Sequence, residues 1–296
     1  MRLDRLKWQS KLVLLLVFPA VGAELALQSI WWLQQFPSIA LWTLGLSLLL
    51  GLAAWQSHSA TVRGAVGGAA LCAALMFSTT SVPYAPWRTA LLPVLLVLVM
   101  TSLATRAGRS RKQQLGTAEG KSGRNAAQVA ANLGMAALAC NGMSLAWMLN
   151  AATTNRVEWR QFLAFAPAMA ALAEAAADTV SSELGQLWTS QPRLVTTWRR
   201  VPAGTDGAIS LTGTLAGVFA AAIVAAGGTW ALGGNSLFLG ITVCGGVVGL
   251  FVDSLLGATL ERWEWLQNDG VNFLSTASAA AAAWALQSAA LRLLQP

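Results

Sequence analysis

Residues 12–34 read Leu-Val-Leu-Leu-Leu-Val-Phe-Pro-Ala-Val-Gly-Ala-Glu-Leu-Ala-Leu-Gln-Ser-Ile-Trp-Trp-Leu-Gln, directly behind Arg2, Arg5, Lys7 and Lys11. A helix that spans a bilayer needs about 20 largely apolar residues, and this run supplies them. A basic tail before an apolar stretch also fits a secretory leader cut after Ala23. The run resumes past Glu24 to Trp31-Trp32-Leu33, however, which makes it long enough to remain as an anchor. Comparable runs follow near 38–56, 63–78, 90–105, 126–149, 161–180, 208–227, 236–260 and 271–293. The sequence therefore predicts an all-α fold: a polytopic membrane helix bundle of about nine transmembrane helices.

Composition agrees. Of 296 residues 55% are apolar and only 10% charged, against about a quarter charged in soluble domains. Mean hydropathy is +0.56. A soluble globular domain, a disordered chain and a disulfide framework are all excluded. Ala and Gly dominate several spans, as in Gly64-Ala-Val-Gly-Gly-Ala-Ala and Gly213-Thr-Leu-Ala-Gly217, and small residues let helices approach where lipid gives them no hydrophobic drive to associate.

Charge sets the orientation. With nine spans and the amino terminus in the cytoplasm, 15 Lys and Arg fall inside and four (Arg88, Arg156, Arg160, Arg292) outside. This fits an integral protein of a bacterial inner membrane. The net charge of +7 sits in loops between spans, so anionic headgroups and anionic substrates are expected as partners, and nucleic acid is not. Trp87, Trp159, Trp198, Trp263 and Trp265 flank spans and read as interface anchors. Cys72, Cys140 and Cys244 are expected to pack as small hydrophobes. His58 is the only histidine, which removes His-rich zinc sites and the usual Ser-His-Asp triad.

The polar residues gather at one depth. Asp178, Ser182 and Glu183 end the sixth span, Asp206 precedes the seventh, Asp253 lies near the inner end of the eighth, and Asn268, Asp269 and Asn272 open the ninth. Arg124, Gln128 and Asn132 form a stripe at i, i+4, i+8 on the fifth. A carboxylate inside a span costs roughly 2.5–3.5 kcal/mol on insertion scales, so several converging on one level call for a shared reason. Glu174, Asp178 and Ser182 share a helix face, whereas Glu183 points about 140° away from Asp178. Each acid also has a plainer reading as a helix-packing or capping residue. Gly204 and Gly207 flank Asp206 in a tight loop before a helix start, where backbone N–H groups favour phosphate, and Arg199 and Arg200 lie nearby. Gly245, Gly249, Asp253, Gly257 and Glu261 form a groove-like stripe with an acid at its centre. Three aspartates from separate elements facing a polyphosphate point to Mg2+. Of the basic loop 105–124, Arg109, Arg111 and Lys112 read as headgroup contacts, while Lys121 and Arg124 are placed to hold a phosphate.

Thr105-Arg-Ala-Gly-Arg, Gly116-Thr-Ala-Glu, Gly123-Arg-Asn-Ala-Ala-Gln128-Val-Ala-Ala-Asn132, Ala177-Asp178-Thr-Val-Ser-Ser-Glu183-Leu-Gly, Pro202-Ala-Gly-Thr-Asp-Gly-Ala-Ile-Ser210 and Asp253-Ser-Leu-Leu-Gly-Ala258 resemble the successive motifs of the integral membrane family called domain of unknown function 92. That family includes transmembrane protein 19 and the plant phytyl-phosphate kinase. The resemblance runs from about residue 60 to the end. It implies a single integral membrane domain over 1–296, with variable spans in 1–60 and the family-like catalytic core in 61–296.

The resemblance also implies phosphorylation of a prenyl monophosphate to the diphosphate by a nucleoside triphosphate, with CTP the expected donor. The family is distantly similar to CTP-using phytol and dolichol kinases and to CDP-diacylglycerol synthase. On this reading Asp178, Asp253 and Asp206 are the catalytic, Mg2+-holding acids. Gly204 and Gly207 bind phosphate through backbone N–H, and Lys121 and Arg124 take the anionic substrate. Gln128, Asn132, Ser182, Glu183, Ser210 and Asn272 complete the substrate and nucleotide site. The competing expectation is a prenyl-phosphate or lipid transporter or flippase. Such proteins usually bind at the bilayer midplane on broken helices, and Pro167 is the only proline well inside a late span.

Overall fold

Each apolar run closes into a helix whose ends are fixed by identifiable caps. The computed structural model describes residues 7–110, 113, 123–151, 165–189 and 191–293, leaving out the side chains of 142–151. In chain order the long helices are α1 Lys7–Gln35, α2 Pro37–Gln56, α3 Val62–Ser78, α4 Leu91–Arg106, α5 Ala126–Ala151, α6 Ala166–Trp188, α7 Leu211–Leu232, α8 Ser236–Leu256 and α9 Asn268–Leu293. Among the described residues this gives the nine helices expected. By length and composition α1, α2, α7 and α8 (the last taken through Glu261) can each cross a membrane, and α3 and α4 are shorter apolar helices.

Local chemistry explains the boundaries. Thr61 Oγ1 accepts the Gly64 N–H at 3.1 Å and starts α3; Asn235 Oδ1 accepts the Phe238 N–H at 3.0 Å and starts α8. The seventh span begins at Leu211, later than the expected 208. Residues 208 and 209 instead form β2 (Ala208–Ile209), which pairs antiparallel with β1 (Arg193–Leu194), and Ser210 caps α7 by accepting the Gly213 N–H at 3.1 Å. That helix runs past the expected 227 to Gly233, whose left-handed φ of 68° terminates it. The sixth helix extends beyond 180 to Trp188, while residues 161–164 of the expected span lie outside the described residues. α8 ends in a π-helical turn, Gly257–Glu261, a local widening that recurs at functional sites.

α6 is the hub. It packs against α4, α5, α7, α8 and α9, and every residue from Ala166 to Ala177 is buried. A run so rich in alanine leaves the neighbouring backbones room to approach. Glycines on the partners use that room: a Cβ on Gly217 would lie 2.8 Å from the Ala177 carbonyl oxygen and from Ser181 Cβ, and one on Gly245 would lie 2.8 Å from Ala170 Cβ. The large apolar side chains turn outward instead; Leu15, Leu41, Trp42, Leu49, Leu215, Phe219 and Trp284 are all exposed, as a lipid-facing surface requires. Cys72 and Cys140 are buried as expected, but Cys244 is exposed on α8 and does not pack in the core.

The first helix belongs to the bundle. Val13, Val17 and Val21 enter the main core, and Gln9 Nε2 donates to the Trp265 carbonyl at 2.8 Å while its Oε1 accepts the Gln267 N–H at 2.8 Å. Ser10 Oγ donates to Asp269 Oδ2 at 2.5 Å. These bonds clasp the start of α1 to the start of α9.

Close approach at the hub has a measurable consequence. Gly217→Val is expected to lower stability by about 1–3 kcal/mol through overpacking, whereas Gly240→Ala, with nothing within 4 Å of the added carbon, is expected to be neutral. Thermal unfolding of both variants in the same detergent checks this, and equal melting temperatures would contradict the α6–α7 contact.

Candidate functional site

α6 carries Glu174, Asp178 and Ser182 at helical spacing, and α8 brings Asp253 against them. Gly249, one turn before Asp253, makes the approach possible: a Cβ there would lie 2.5 Å from Glu174 Cγ and 2.9 Å from the Ser275 carbonyl oxygen. Asp253 meets Asp178 side chain to side chain at hydrogen-bonding range, and Glu174 lies deeper, 1% exposed and within reach of Ser275 on α9. Asp253 Oδ1 and Glu174 Oε1 are buried with no hydrogen-bond partner. Two carboxylates this close repel unless a proton or a cation sits between them, and a buried oxygen without a donor is costly.

The acids continue outward. Glu261, at the end of the π turn, lies in Coulombic range of both Asp178 and Asp206. Asp206 is brought there by Gly207, which takes φ +69° and presses its backbone against Ala258; a Cβ on Gly257 would in turn lie 2.8 Å from the Gly207 nitrogen. Gly204 also holds a left-handed φ, +83°, so the 202–207 loop is shaped by two residues with little cost in that region. Partial desolvation raises the Asp206 pKa above its ordinary value, opposed by the Arg262 guanidinium.

Arg124 arrives from the other side. Gly123, at φ +73°, and the bonds Arg124 N–H to the Ser59 carbonyl (3.0 Å) and Thr61 N–H to the Arg124 carbonyl (2.9 Å) tie this segment to the α2–α3 loop. Its Nη2 donates to Thr179 Oγ1 at 3.2 Å, beside Asp178. Arg124 also stands at the rim of a cavity of about 560 Å3 among α2, α3, α4 and α5, which has Arg106, Arg109 and His58 at the same polar end.

Asp178, Asp253 and Asp206 thus reach one end of the bundle together with Arg124, but the three aspartates do not form one grip. Among the described residues no group of three or more His, Cys, Asp or Glu converges tightly enough to hold a metal ion. Asp206 stands on its own loop facing Arg262 and Glu261. The Asp178–Asp253 pair, with its orphaned oxygen, fits a cation that takes two protein carboxylates and fills its shell with phosphate and water, as Mg2+ commonly does.

Other expected site residues have structural work. Gln128 Oε1 accepts the Asn125 N–H at 2.9 Å while Asn125 Oδ1 accepts from Ala127 and Gln128, a reciprocal cap at the start of α5. Asn132 is 7% exposed and donates to the Gln128 carbonyl at 2.8 Å, at the wall of the cavity. Ser210 is the α7 cap. Ser182 is exposed and donates to the Thr179 carbonyl at 3.1 Å. Glu183 is buried, about 140° round α6 from Asp178. Asn272 lies on the second turn of α9, where its carbonyl accepts from Ser275 and Thr276. Lys121 lies outside the described residues, as do Arg111, Lys112 and the Gly116-Thr-Ala-Glu motif.

The sequence model of the family described as Integral membrane protein DUF92 matches residues 45–280. The chain belongs to that family. The match starts inside α2, earlier than the resemblance alone suggested, and covers every residue of the acid cluster. An uncharacterized membrane protein of Synechocystis is 31% identical over 209 residues, 69% of this chain and 76% of its own length. One from Methanocaldococcus jannaschii is 44% identical over 108 residues, 36% of this chain, and the aligned stretch spans 45% of that relative. The chloroplastic protein VTE6 of Arabidopsis thaliana is 29% identical over 180 residues, 60% of this chain and 52% of VTE6. No solved structure matches the chain.

The acid cluster of this DUF92 member includes two residues that sequence reasoning underweighted. Glu174 is signalled only by its i−4 spacing to Asp178, and Glu261 by its place at the end of the Gly245-to-Gly257 stripe. Of the rim arginines, Arg109 reads from the sequence as a headgroup contact and Arg106 carries no reading of its own; nothing in their spacing shows that the end of α4 sets them beside a cavity.

The facing carboxylates make Asp253→Asn informative without any ligand. In chelator-treated protein at pH 8 the variant is expected to unfold at a higher temperature than the wild type, by on the order of 1 kcal/mol of relieved repulsion. A lower unfolding temperature would contradict the facing geometry.

Proposed function

We propose that the protein is a membrane-embedded phosphotransferase that moves a phosphoryl group from a nucleoside triphosphate, with CTP the expected donor, onto a prenyl monophosphate to give the diphosphate. The reaction is placed at the cytoplasmic face of the membrane, where the positive-inside count puts this end of the bundle. The single observation that carries the reading is the half-buried Asp178–Asp253 pair, with an orphaned carboxylate oxygen, and the guanidinium of Arg124 anchored on the neighbouring Thr179. The family resemblance supplies the precedent for a prenyl phosphate.

An oxygen of the acceptor phosphate attacks the γ-phosphorus, the bond from that phosphorus to the β-γ bridging oxygen breaks, and the nucleoside diphosphate leaves. Phosphoryl transfer asks little covalent chemistry of the protein, so the single histidine is no obstacle. Asp178 and Asp253 are the residues that would hold a divalent cation, and Mg2+ there would neutralise charge on the transferring group. Arg124 holds the acceptor phosphate, and its anchor on Thr179 fixes its distance from Asp178. Asp206 and Gly207 place the loop that closes over the end of α8. The acids at one end of the bundle, with no broken helix pair at the midplane among the described residues, favour this over transport.

The test incubates purified protein and Mg2+ with labelled nucleoside triphosphates and a panel of prenyl monophosphates, following label into the lipid phase. Asp178→Asn and Asp253→Asn are each expected to lower turnover by at least a hundredfold while the protein still inserts and elutes normally. Full activity in either variant would remove these roles.

A further inference from the structure

The cavity among α2–α5 has a polarity gradient that runs along its length. At one end lie Ser57, His58 and Ser59, Arg106 and Arg109, and Arg124; toward the other the walls become Leu50, Val94, Val97, Leu98, Val129 and Leu133. The order along each helix is consistent, since α2 and α4 run toward the rim and α3 and α5 run away from it. From Arg106 back to Val94 along α4 is about 18 Å of helix. No acidic side chain lines the cavity among the described residues. Two of the three rim arginines are held in place, Arg106 by the Ser57 carbonyl and Arg124 by Thr179. His58 holds a left-handed φ of 55° there, a conformation that is costly for a non-glycine residue and tends to persist at functional sites.

A shaft whose walls beyond the rim are mostly apolar, with Thr101 and Asn132 among them, is satisfied by hydrocarbon, and three guanidinium groups at its mouth are satisfied by phosphate oxygens, which they can meet in bidentate pairs. We propose that this cavity is the seat of a single-chain, phosphate-headed lipid, its head at Arg106, Arg109 and Arg124 and its tail in the shaft. The proposal deepens the kinase reading and rests on it for the role of the bound lipid as acceptor. Arg124 touches both places: it lines the cavity and donates to the residue next to Asp178. Donor and acceptor therefore approach from two halves of the bundle, the nucleotide over α6–α8 and the lipid through α2–α5, and meet at that guanidinium.

Gly68 offers a way to fill the shaft. A Cβ there meets only Val129 Cγ1, at 3.6 Å, which is ordinary contact, so Gly68→Phe starts a bulky side chain from an uncrowded point on the cavity wall. Leu98→Trp fills the shaft from α4 and serves if Gly68→Phe folds poorly. The experiment titrates full-length protein with phytyl monophosphate, with phytol and with inorganic phosphate, reading binding by thermophoresis. Wild-type protein is expected to bind phytyl monophosphate at least tenfold more tightly than either fragment. Gly68→Phe is expected to weaken phytyl monophosphate at least tenfold, and the double variant Arg106→Gln, Arg109→Gln to erase the preference over phytol. Unchanged binding in a well-folded shaft-filling variant would overturn the proposal, as would tight binding of inorganic phosphate with no gain from the tail. Labelling of the lipid at wild-type KM by Gly68→Phe would overturn it while leaving the kinase reading intact. Binding that the variants abolish, with no label transferred from any nucleotide, would establish the lipid site and sink the kinase reading instead.

Discussion

Two carboxylates from different helices, Asp178 and Asp253, face each other in the interior of a membrane protein, and the surrounding packing is arranged around that meeting. It needs α6 to be buried on all sides, since an acid on a lipid-facing helix would turn toward water. It needs α8 to come close, which Gly245 and Gly249 permit by lacking the carbon that would strike Ala170, Ala279 and Glu174. It also needs a reason to persist, because like charges at hydrogen-bonding range with an orphaned oxygen are unfavourable by themselves. On the proposed reading, a divalent cation bound together with phosphate would supply that reason.

The remaining elements extend the same logic to the ends of the helices. The π turn after α8 and the left-handed Gly207 lock the 202–207 loop against Ala258, which sets Glu261 within range of the pair and Asp206 within range of Glu261. Gly123 does the same for Arg124 on the opposite flank, where a Cβ would sit 2.5 Å from the His58 carbonyl oxygen. Backbone contacts at a few glycines thus hold the charged groups of both halves in register, and the clasp of Gln9 and Ser10 to the turn before α9 closes the same end of the bundle.

The fold was largely legible because hydropathy and the inside–outside charge bias are strong signals in a bilayer. The seventh helix shows where they weaken: Ala208 and Ile209 are apolar enough to count as span, yet Ser210 caps the helix and the two residues pair with Arg193–Leu194. For the site, spacing along single helices found Asp178 and Asp253. It could not tell that Gln128 completes the α5 cap, since a polar stripe reads the same whether it faces a ligand or its own backbone. Nor could it find the cavity, because Arg106 and Arg109 take their meaning from α2 and α5, far away in sequence.

The acid pair as a cation site is tested most directly by counting bound Mn2+ by electron paramagnetic resonance, in the presence of a non-hydrolysable CTP analogue. Wild-type protein is expected to hold one tight Mn2+ per chain, and the Asp178→Asn, Asp253→Asn double variant none. An equal count in the two proteins would contradict the central claim.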